Sequence, residues 1–350
     1  MWDGCDTASH SYGSGTVFCS ADSRAALRAL KVTSDFEEGS GQLDFVHRAD
    51  SSRDIYFIRN KGSHVVDTVA RFRIVGRTPE LWNAVDGNIS SQLHYRNEGG
   101  QTQISLHLDP YGSVFVVFAR TSDLHVMQVL KDGIEVESAQ VTGDERNGFV
   151  LERADPGTYS LRLSDGRKLT TQIAPAKSEE LPASQWTIGF QPDRGAPAGT
   201  QSLPDFESWT ASSDAGVRYF SGTATYRTNV TVKRTVGERV FLTLTDLHEI
   251  CTVRINGKSV GTLWAMPYRL DITDSLTAGR NSLELDATNL WPNRIIGDAQ
   301  PSATRTYTKT NIHEYTASSP LLPSGLVGPV ALETVGMTRL HFAQQPEGKH

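Results

Sequence analysis

Six residues in one stretch of the chain have side chains suited to binding a sugar. The stretch runs from Leu263 to Asp298, and the residues are Trp264, Arg269, Trp291, Asn293, Arg294 and Asp298. An aromatic ring stacks on the apolar C–H face of a pyranose, whereas arginine, asparagine and aspartate hydrogen-bond its hydroxyl groups. The composition of this stretch predicts a carbohydrate-binding site in loops.

The same residues also have a purely structural explanation. Trp264 and Trp291 would then cap the core of a β-sandwich, and Arg294 would form an ion pair with Asp298 inside the domain. The segment Asp271-Ile272-Thr273 would be a turn that ends a strand. Both explanations stay open at the level of the sequence.

Hydrolysis of a glycosidic bond needs two carboxyl groups, about 5 Å apart for retention or roughly 6.5–9.5 Å apart for inversion. The candidates are the acidic residues near aromatic or loop residues, Glu207, Glu249, Asp298 and Glu314. The chain has 40 acidic residues, so that some such pair arises by chance. Each candidate is otherwise explained as a solvated or capping carboxylate.

Other catalytic and cofactor-binding signatures are missing. The sequence has no Gly-x-Ser-x-Gly elbow, no His-Glu-x-x-His, no phosphate-binding Gly-Lys-Ser/Thr loop and no Cys-x-x-Cys. We therefore expect no cofactor and no metal site. A structural Ca²⁺ is plausible by analogy with jelly-roll modules, but no acidic cluster has suitable ligand spacing.

The elements that must position these residues are β-strands. Apolar and β-branched residues alternate or cluster over strand lengths, as in 54–58 and 68–74. The pairs Asp132-Gly133, Asp165-Gly166 and Asn256-Gly257 lie between such runs, and pairs of this kind favour type I′ hairpin turns. Strands joined by short turns predict antiparallel sandwiches.

The pattern predicts a mainly β protein with two antiparallel β-sandwich domains after a short α/β remnant. Residues 174–182 are polar and contain proline, and they are predicted to form a linker. The expected boundaries are a strand-helix remnant at 1–36, a first sandwich at 37–175, a jelly roll at 176–338 and a tail at 339–350.

Composition excludes several classes of partner. The 350 residues carry a formal net charge of −6, which argues against a nucleic-acid surface. The longest uncharged, apolar-leaning stretch, 111–119, is far shorter than the roughly 20 residues of a membrane-spanning helix, and the N-terminus lacks the pattern of a signal peptide. Cys5, Cys19 and Cys251 indicate neither a disulfide framework nor a metal site.

Five motifs, in this order along the chain, resemble the C-terminal part of the α-L-rhamnosidases of glycoside hydrolase family 106. They are Val46–Arg48 followed by Asp54–Asn60, then Tyr219–Tyr226, Val253–Trp264, Asn289–Asp298 and Pro323–Val330. The resemblance runs from about residue 11 to residue 335. The stretch from Val240 to Asn289 also resembles the galactose-binding-like jelly roll of many glycosidases, which implies a fold and not an activity.

The resemblance implies a function in carbohydrate metabolism but supplies no catalytic residue. The glutamate pair of that family lies in a barrel N-terminal to the matched region, and no residue here aligns with it. The opening segment resembles the connection from that barrel, which implies an upstream catalytic domain outside this chain. The family also implies a periplasmic or secreted parent protein and a ligand that is a rhamnose-containing or other plant glycan.

Three hypotheses follow. The chain is a noncatalytic sugar-binding or scaffold region of a rhamnosidase-like protein, which the missing barrel favours. Alternatively, it is a compact glycoside hydrolase whose loop carboxylates act on rhamnosides or related plant glycans. In the third hypothesis it is a structural or partner-binding fragment without affinity for sugars.

Overall fold

The computed structural model describes residues 9–19, 22–121, 124–144, 148–233, 237–311, 314–336 and 339–340. They form two compact units of mainly β structure, which confirms the predicted fold class. The first unit comprises Met1–Leu130, Ile134–Arg146 and Leu161–Lys168, and the second comprises Lys131–Gly133, Asn147–Ser160 and Leu169–His350. Among the described residues, no helix is both long enough and apolar enough to cross a membrane.

The first unit begins with a hairpin and a short helix. Strands β1 (Ser9–Tyr12) and β2 (Gly15–Phe18) pair antiparallel, and helix α1 (Ser23–Ala29) follows. Asp22 caps α1 by accepting a hydrogen bond from the Arg24 amide at 2.9 Å. No residue of α1 is buried.

The core of the first unit lies between two antiparallel sheets, with strand orders β3-β6-β10-β9 and β4-β5-β11-β7-β8. Aromatic residues of both sheets fill it. Tyr56 lies edge-on to Phe72 and Phe118, with ring centroids 4.9 and 6.1 Å apart. The strands are β3 (Phe36–Glu37), β4 (Leu43–Ala49), β5 (Asp54–Asn60), β6 (Val66–Phe72), β7 (Thr78–Asn83), β8 (Ile89–Ser91), β9 (Tyr95–Glu98), β10 (Gln101–Leu108) and β11 (Ser113–Arg120).

The division between the two units is not at a single position, because it passes several times through residues 131–169. The strands of this region are β12 (Val126–Lys131), β13 (Ile134–Glu135), β14 (Gln140–Asp144), β15 (Gly148–Glu152), β16 (Gly157–Leu163) and β17 (Lys168–Ile173).

The second unit is a sandwich of two antiparallel sheets, with strand orders β18-β27-β22-β25 and β20-β19-β21-β26-β23-β24. Its core contains Trp186, Tyr226, Leu242, Val253 and Leu285, each no more than 1% exposed. The strands are β18 (Lys177–Glu180), β19 (Thr187–Phe190), β20 (Thr200–Ser202), β21 (Thr223–Val232), β22 (Glu238–His248), β23 (Ile250–Ile255), β24 (Lys258–Leu263), β25 (Arg269–Asp271), β26 (Gly279–Thr288) and β27 (Gly325–Gly336). Outside these sheets, β28 (Arg339–Leu340) pairs with β15.

The helical segments of the second unit are short. Helix α2 (Ala215–Arg218) starts at Asp214, whose carboxylate accepts hydrogen bonds from two helix amides. Helix α3 (Pro292–Asp298) follows the end of β26. Single 3₁₀ turns occur at Ala183–Gln185, Trp209–Ala211 and Thr273–Ser275.

The structure confirms the Asn256-Gly257 hairpin and corrects two local predictions. Ile255 pairs with Lys258 across this turn, and both turn residues have positive φ. At Asp165-Gly166 only the glycine has positive φ, so that the turn is not type I′. The predicted linker contains a strand, because β18 (Lys177–Glu180) pairs along β27 at the edge of a sheet.

One of the cysteines differs from expectation. Cys19 is disulfide-bonded, although the spacing of the three cysteines indicated no disulfide. Cys251 is a free and fully buried thiol, and burial raises the pKa of this thiol to about 12. Cys251 is therefore a small apolar core residue.

Candidate functional site

Four strands of the second unit bring their ends together at one end of the six-stranded sheet. Across this end Thr288 of β26 pairs with Ile250 of β23, and Leu263 of β24 pairs with Cys251. On the other side of β26, Thr223 of β21 pairs with Thr288. The segments that follow β24 and β26 and the one that precedes β23 therefore leave the sheet side by side.

These segments expose apolar side chains at the sheet end. Trp264 is 54% exposed and Trp291 is 50% exposed, and three other apolar residues are about as accessible. We call this set the strand-end patch. Its members are Ile250, Trp264, Met266, Leu290 and Trp291.

Buried asparagines anchor the segment that carries Trp291. The Asn289 side chain accepts a hydrogen bond from the Gly222 amide at 2.9 Å and donates to the Phe220 carbonyl oxygen at 2.9 Å. Asn293, which is 1% exposed, makes two hydrogen bonds with the Leu322 backbone, at 2.7 and 2.8 Å. Because these contacts fix the backbone on both sides of Trp291, its exposure is a defined feature of the fold.

Ser324 and Ser221 complete this network. The Ser324 hydroxyl accepts hydrogen bonds from the side-chain amides of Asn289 and Asn293, both at 2.9 Å. Ser221 accepts from the Arg294 amide at 3.1 Å and donates to the Leu290 carbonyl oxygen at 2.8 Å. The beginning of α3 is thus held by side chains from two distant segments.

Arg294 and Asp298 form the ion pair that the structural explanation expected. Arg294 Nε and Asp298 Oδ1 are 2.9 Å apart, and both side chains are 6% exposed. The other carboxylate oxygen, Asp298 Oδ2, accepts hydrogen bonds from the Tyr307 amide at 2.8 Å and from the amide and hydroxyl of Thr308 at 2.7 Å each. Asp298 is therefore held by an ion pair through Oδ1 and by three hydrogen bonds through Oδ2.

Trp264 leaves β24 in a loop that is anchored at its far end. Tyr268 donates a hydrogen bond from its hydroxyl to the Leu247 carbonyl oxygen at 3.2 Å, and its own carbonyl oxygen accepts from the Leu244 amide at 2.9 Å. Leu263, just before Trp264, is buried. The loop is consequently fixed on both sides of its exposed residues.

Arg269 lies in β25 of the four-stranded sheet and is already engaged there. Its Nε donates to Glu333 Oε2 at 2.7 Å, and its guanidinium carbon lies 3.3 Å from the centroid of the Phe241 ring. The structure therefore does not place Arg269 with the exposed tryptophans of the other sheet. Its predicted part in sugar binding stays a prediction.

The four candidate carboxylates lie on four different segments. Glu207 is exposed before the 3₁₀ turn at Trp209–Ala211, and Glu314 is exposed between α3 and β27. Glu249 lies between β22 and β23, where its side chain is 43% exposed and 3.9 Å from His248 Nδ1. Asp298 is the buried partner of Arg294.

Arg194 is a neighbour of the site that sequence reasoning missed. It lies in the loop after β19, and its guanidinium carbon is 4.8 Å from the centroid of the Trp291 ring, the geometry of a cation–π contact. Nearly 100 residues separate the two side chains in the sequence, and pairing of β19, β21 and β26 brings their loops together. No local pattern in the sequence signals this contact.

Among the residues that the structure describes, no group of three histidine, cysteine, aspartate or glutamate side chains is arranged to hold a metal ion. What the site offers is aromatic surface beside a cation. It can stack on an apolar face and donate hydrogen bonds.

Comparisons with known proteins match both units. Residues 1–97 match the family model of α-L-rhamnosidase, and residues 209–315 match the galactose-binding domain-like model of glycosyl hydrolase 2. The predicted resemblance to rhamnosidases and the galactose-binding-like fold are thereby confirmed.

A solved structure and a curated protein are similar to longer parts of the chain. The rhamnosidase from Novosphingobium sp. PP1Y is 35% identical, with a TM-score of 0.72 over 94% of this chain and 28% of that one. A putative β-glucuronidase of Formosa agariphila is 36% identical over 146 residues, which are 41% of this chain and 12% of that protein. The chain thus spans well under a third of the length of either relative.

Proposed function

We propose that this chain is a noncatalytic β-sandwich region of a rhamnosidase-like, carbohydrate-active protein and that its second unit binds a glycan at the strand-end patch. Trp264 and Trp291 supply the stacking surfaces. The ligand is a rhamnose-containing or other plant glycan, and catalysis belongs to a domain upstream of the residues in this chain. The family match at residues 1–97 and the similarity to a solved rhamnosidase support this assignment.

The exposure of both tryptophans on anchored segments is the observation that carries the proposal. A tryptophan that merely capped the core would be buried, as Trp186 and Trp209 are in the same unit. Trp264 and Trp291 are instead half-exposed beside backbone that buried hydrogen bonds hold in place. Preorganised aromatic surface of this kind binds with little loss of conformational entropy.

The geometry of the candidate carboxylates supports a noncatalytic role. A glycosidase needs one carboxyl group that can donate a proton to the leaving oxygen and a second that acts on the sugar. Asp298 is occupied by Arg294, Tyr307 and Thr308, whereas Glu207 and Glu314 are open to water on separate loops. Their sugar-binding or catalytic roles have no support from the observed contacts.

Calorimetric titration of the intact chain with a rhamnose-containing oligosaccharide tests the proposal. We expect saturable binding that Trp291→Ala and Trp264→Ala each weaken about tenfold, the loss of one favourable stacking contact. Leu290→Ala is the matched control, because it removes an equally exposed apolar side chain beside Trp291 without removing an aromatic ring.

The control separates stacking on an aromatic ring from general apolar contact. If Leu290→Ala and Ile250→Ala weakened binding as much as the tryptophan variants did, the surface would act through general apolar contact. Saturable binding that both tryptophan variants leave unchanged would overturn the proposal. So would the absence of binding to any glycan of a broad panel.

A further inference from the structure

The strand-end patch has a cation built into its edge. The Arg194 guanidinium lies 4.8 Å from the centroid of the Trp291 ring, and the Arg194 side chain is partly buried. Among the described residues, no carboxylate lies within ion-pairing distance of Arg194, whereas five other arginines of the second unit have such a partner. A positive charge next to the stacking surface is thus left without a counterion from the fold.

Packing of three segments holds Arg194 at this place. A β-carbon added to Gly195 would lie 2.9 Å from an Arg294 guanidinium nitrogen and 3.3 Å from the Tyr307 ring. The Arg194–Gly195 backbone therefore fits directly against α3 and the segment around Tyr307. Because the buried Arg294–Asp298 pair stabilises α3 from within, the position of Arg194 is tied to the best-anchored part of the site.

A second arginine without an ion-pair partner among the described residues contacts the Tyr307 ring. The Arg305 guanidinium carbon is 4.9 Å from the centroid of the Tyr307 ring, and the Arg294 guanidinium lies at the same distance from that ring. Arg294 is neutralised by Asp298, whereas no carboxylate among the described residues pairs with the exposed Arg305. Arg194 is therefore the charged side chain that the structure places directly against the Trp291 ring.

The charge is distributed unevenly along the sheet end. Glu249, which directly precedes β23 between the ends of β24 and β26, lies 3.9 Å from His248, and Asp246 of the neighbouring β22 lies 3.2 Å from the same ring. The ends of β24 and β26 are two interstrand spacings apart, roughly 10 Å, which exceeds the span of one pyranose ring. A ligand that reached both tryptophans would have one end beside Arg194 and the other beyond the acidic residues.

We propose that the patch selects an anionic saccharide, with a carboxylate or sulfate group beside Arg194 and a neutral sugar residue toward Trp264. Arg194 is the specificity-determining residue, because a planar guanidinium donates paired hydrogen bonds to either anion. Since Arg194 covers part of the Trp291 surface, the remainder of the ring receives the sugar. This inference rests on the proposed function, since it identifies the class of ligand at the same patch.

Calorimetry on the intact chain with three oligosaccharides of equal length tests the preference for an anionic saccharide. One is neutral, one carries a uronic acid residue and one carries a sulfate ester. We expect the wild-type chain to bind at least one anionic ligand about tenfold more tightly than the neutral one, as a single charge-assisted hydrogen bond provides. Comparison of the two anionic ligands shows whether the patch binds the carboxylate or the sulfate group.

Variants of Arg194 test whether this residue causes the preference for anionic ligands. Arg194→Gln should remove the preference for the anionic ligand and leave the affinity for the neutral one within about twofold, whereas Arg194→Lys should retain part of the preference because the charge remains. Arg59→Gln, at an exposed arginine of the first unit, is the matched control and should change nothing.

The possible failures are distinct. Equal affinity for neutral and anionic ligands, or a preference that survives in Arg194→Gln, overturns the role of Arg194 and leaves the proposed function intact. Binding of none of the three ligands overturns the proposed function, and this inference with it.

Discussion

Trp291 and Asn293 are two positions apart in the sequence, yet one side chain is half-exposed and the other is buried. Trp291 is the N-cap residue of α3 and Pro292 occupies its first turn, a position that suits the fixed φ of proline. The turn of the helix then directs Asn293 and Arg294 inward. At the residue scale, this stretch thus consists of buried polar anchors that present an exposed ring.

The buried ion pair gives the sharpest prediction for a single residue. Asp298→Ala leaves the Arg294 guanidinium buried without its partner and removes the acceptor of three hydrogen bonds. We expect a loss of about 3–5 kcal/mol in the free energy of unfolding, measured by urea denaturation. Glu314→Ala, at an exposed candidate carboxylate, should stay within about 0.5 kcal/mol, and equal effects of the two variants would refute this assignment.

At the scale of elements, β27 starts beside the Tyr226 hydroxyl, which accepts two hydrogen bonds. The Trp209 indole nitrogen donates to the Tyr226 hydroxyl at 2.7 Å, and the Leu326 amide donates to the same oxygen at 3.2 Å. Gly325 has a φ of +87°, and a β-carbon there would lie 2.7 Å from the Tyr226 hydroxyl oxygen. Only glycine fits this start of the strand.

Gly325→Ala should therefore destabilise the second unit through both strain and overpacking. We expect the free energy of unfolding to fall by at least about 1–3 kcal/mol, the cost of an extra methyl group in a packed core. The measurement is the thermal unfolding temperature, which should be lower in the variant. Gly336→Ala at the other end of the same strand is the control, because nothing lies within 4 Å of its added β-carbon. A Gly325 variant as stable as the Gly336 variant would contradict this account.

Much of the strand pattern could be predicted because burial of one face imposes a period of two. The pattern fails at β18, whose four residues Lys177–Glu180 are all exposed. Charged residues on an edge strand prevent pairing with other chains. Because such a strand is polar on both faces, its sequence predicts a linker. Edge strands of this kind carry no apolar signal.

The candidate site was predictable only in part. The tryptophans were found from their type and spacing, and both are exposed. The sequence did not show that Asn293, Arg294 and Asp298 are buried while the tryptophans are exposed, because the start of α3 decides which side chains turn inward. Arg194 could not be found at all, since strand pairing alone brings it to Trp291.

At the scale of the whole molecule, the stability of the first unit should depend on pH through two histidines. Burial lowers the pKa of both His94 and His125, and the His125 ring stacks on Tyr95 with centroids 4.5 Å apart. Their ordinary pKa is about 6.5. The neutral imidazole is favoured in the fold, whereas the unfolded chain takes up protons below this value.

We therefore expect the unfolding temperature of the first unit to be constant above about pH 7 and to fall as the pH drops through 6.5. Differential scanning calorimetry between pH 8 and pH 5 measures the profile. His94→Gln combined with His125→Gln should flatten it, and His64→Gln, at an exposed histidine, should not. A flat profile in the wild-type chain would show that burial of these rings is not coupled to folding.

The central claim, that exposed tryptophans of the second unit bind a glycan, can be tested most directly by NMR spectroscopy of the indole N–H groups. During titration with the anionic and neutral oligosaccharides, the resonances of Trp264 and Trp291 should shift and saturate together. Those of Trp186 and Trp209, which lie in the core, should stay in place and serve as internal references. Unshifted Trp264 and Trp291 resonances at saturating glycan would contradict the account.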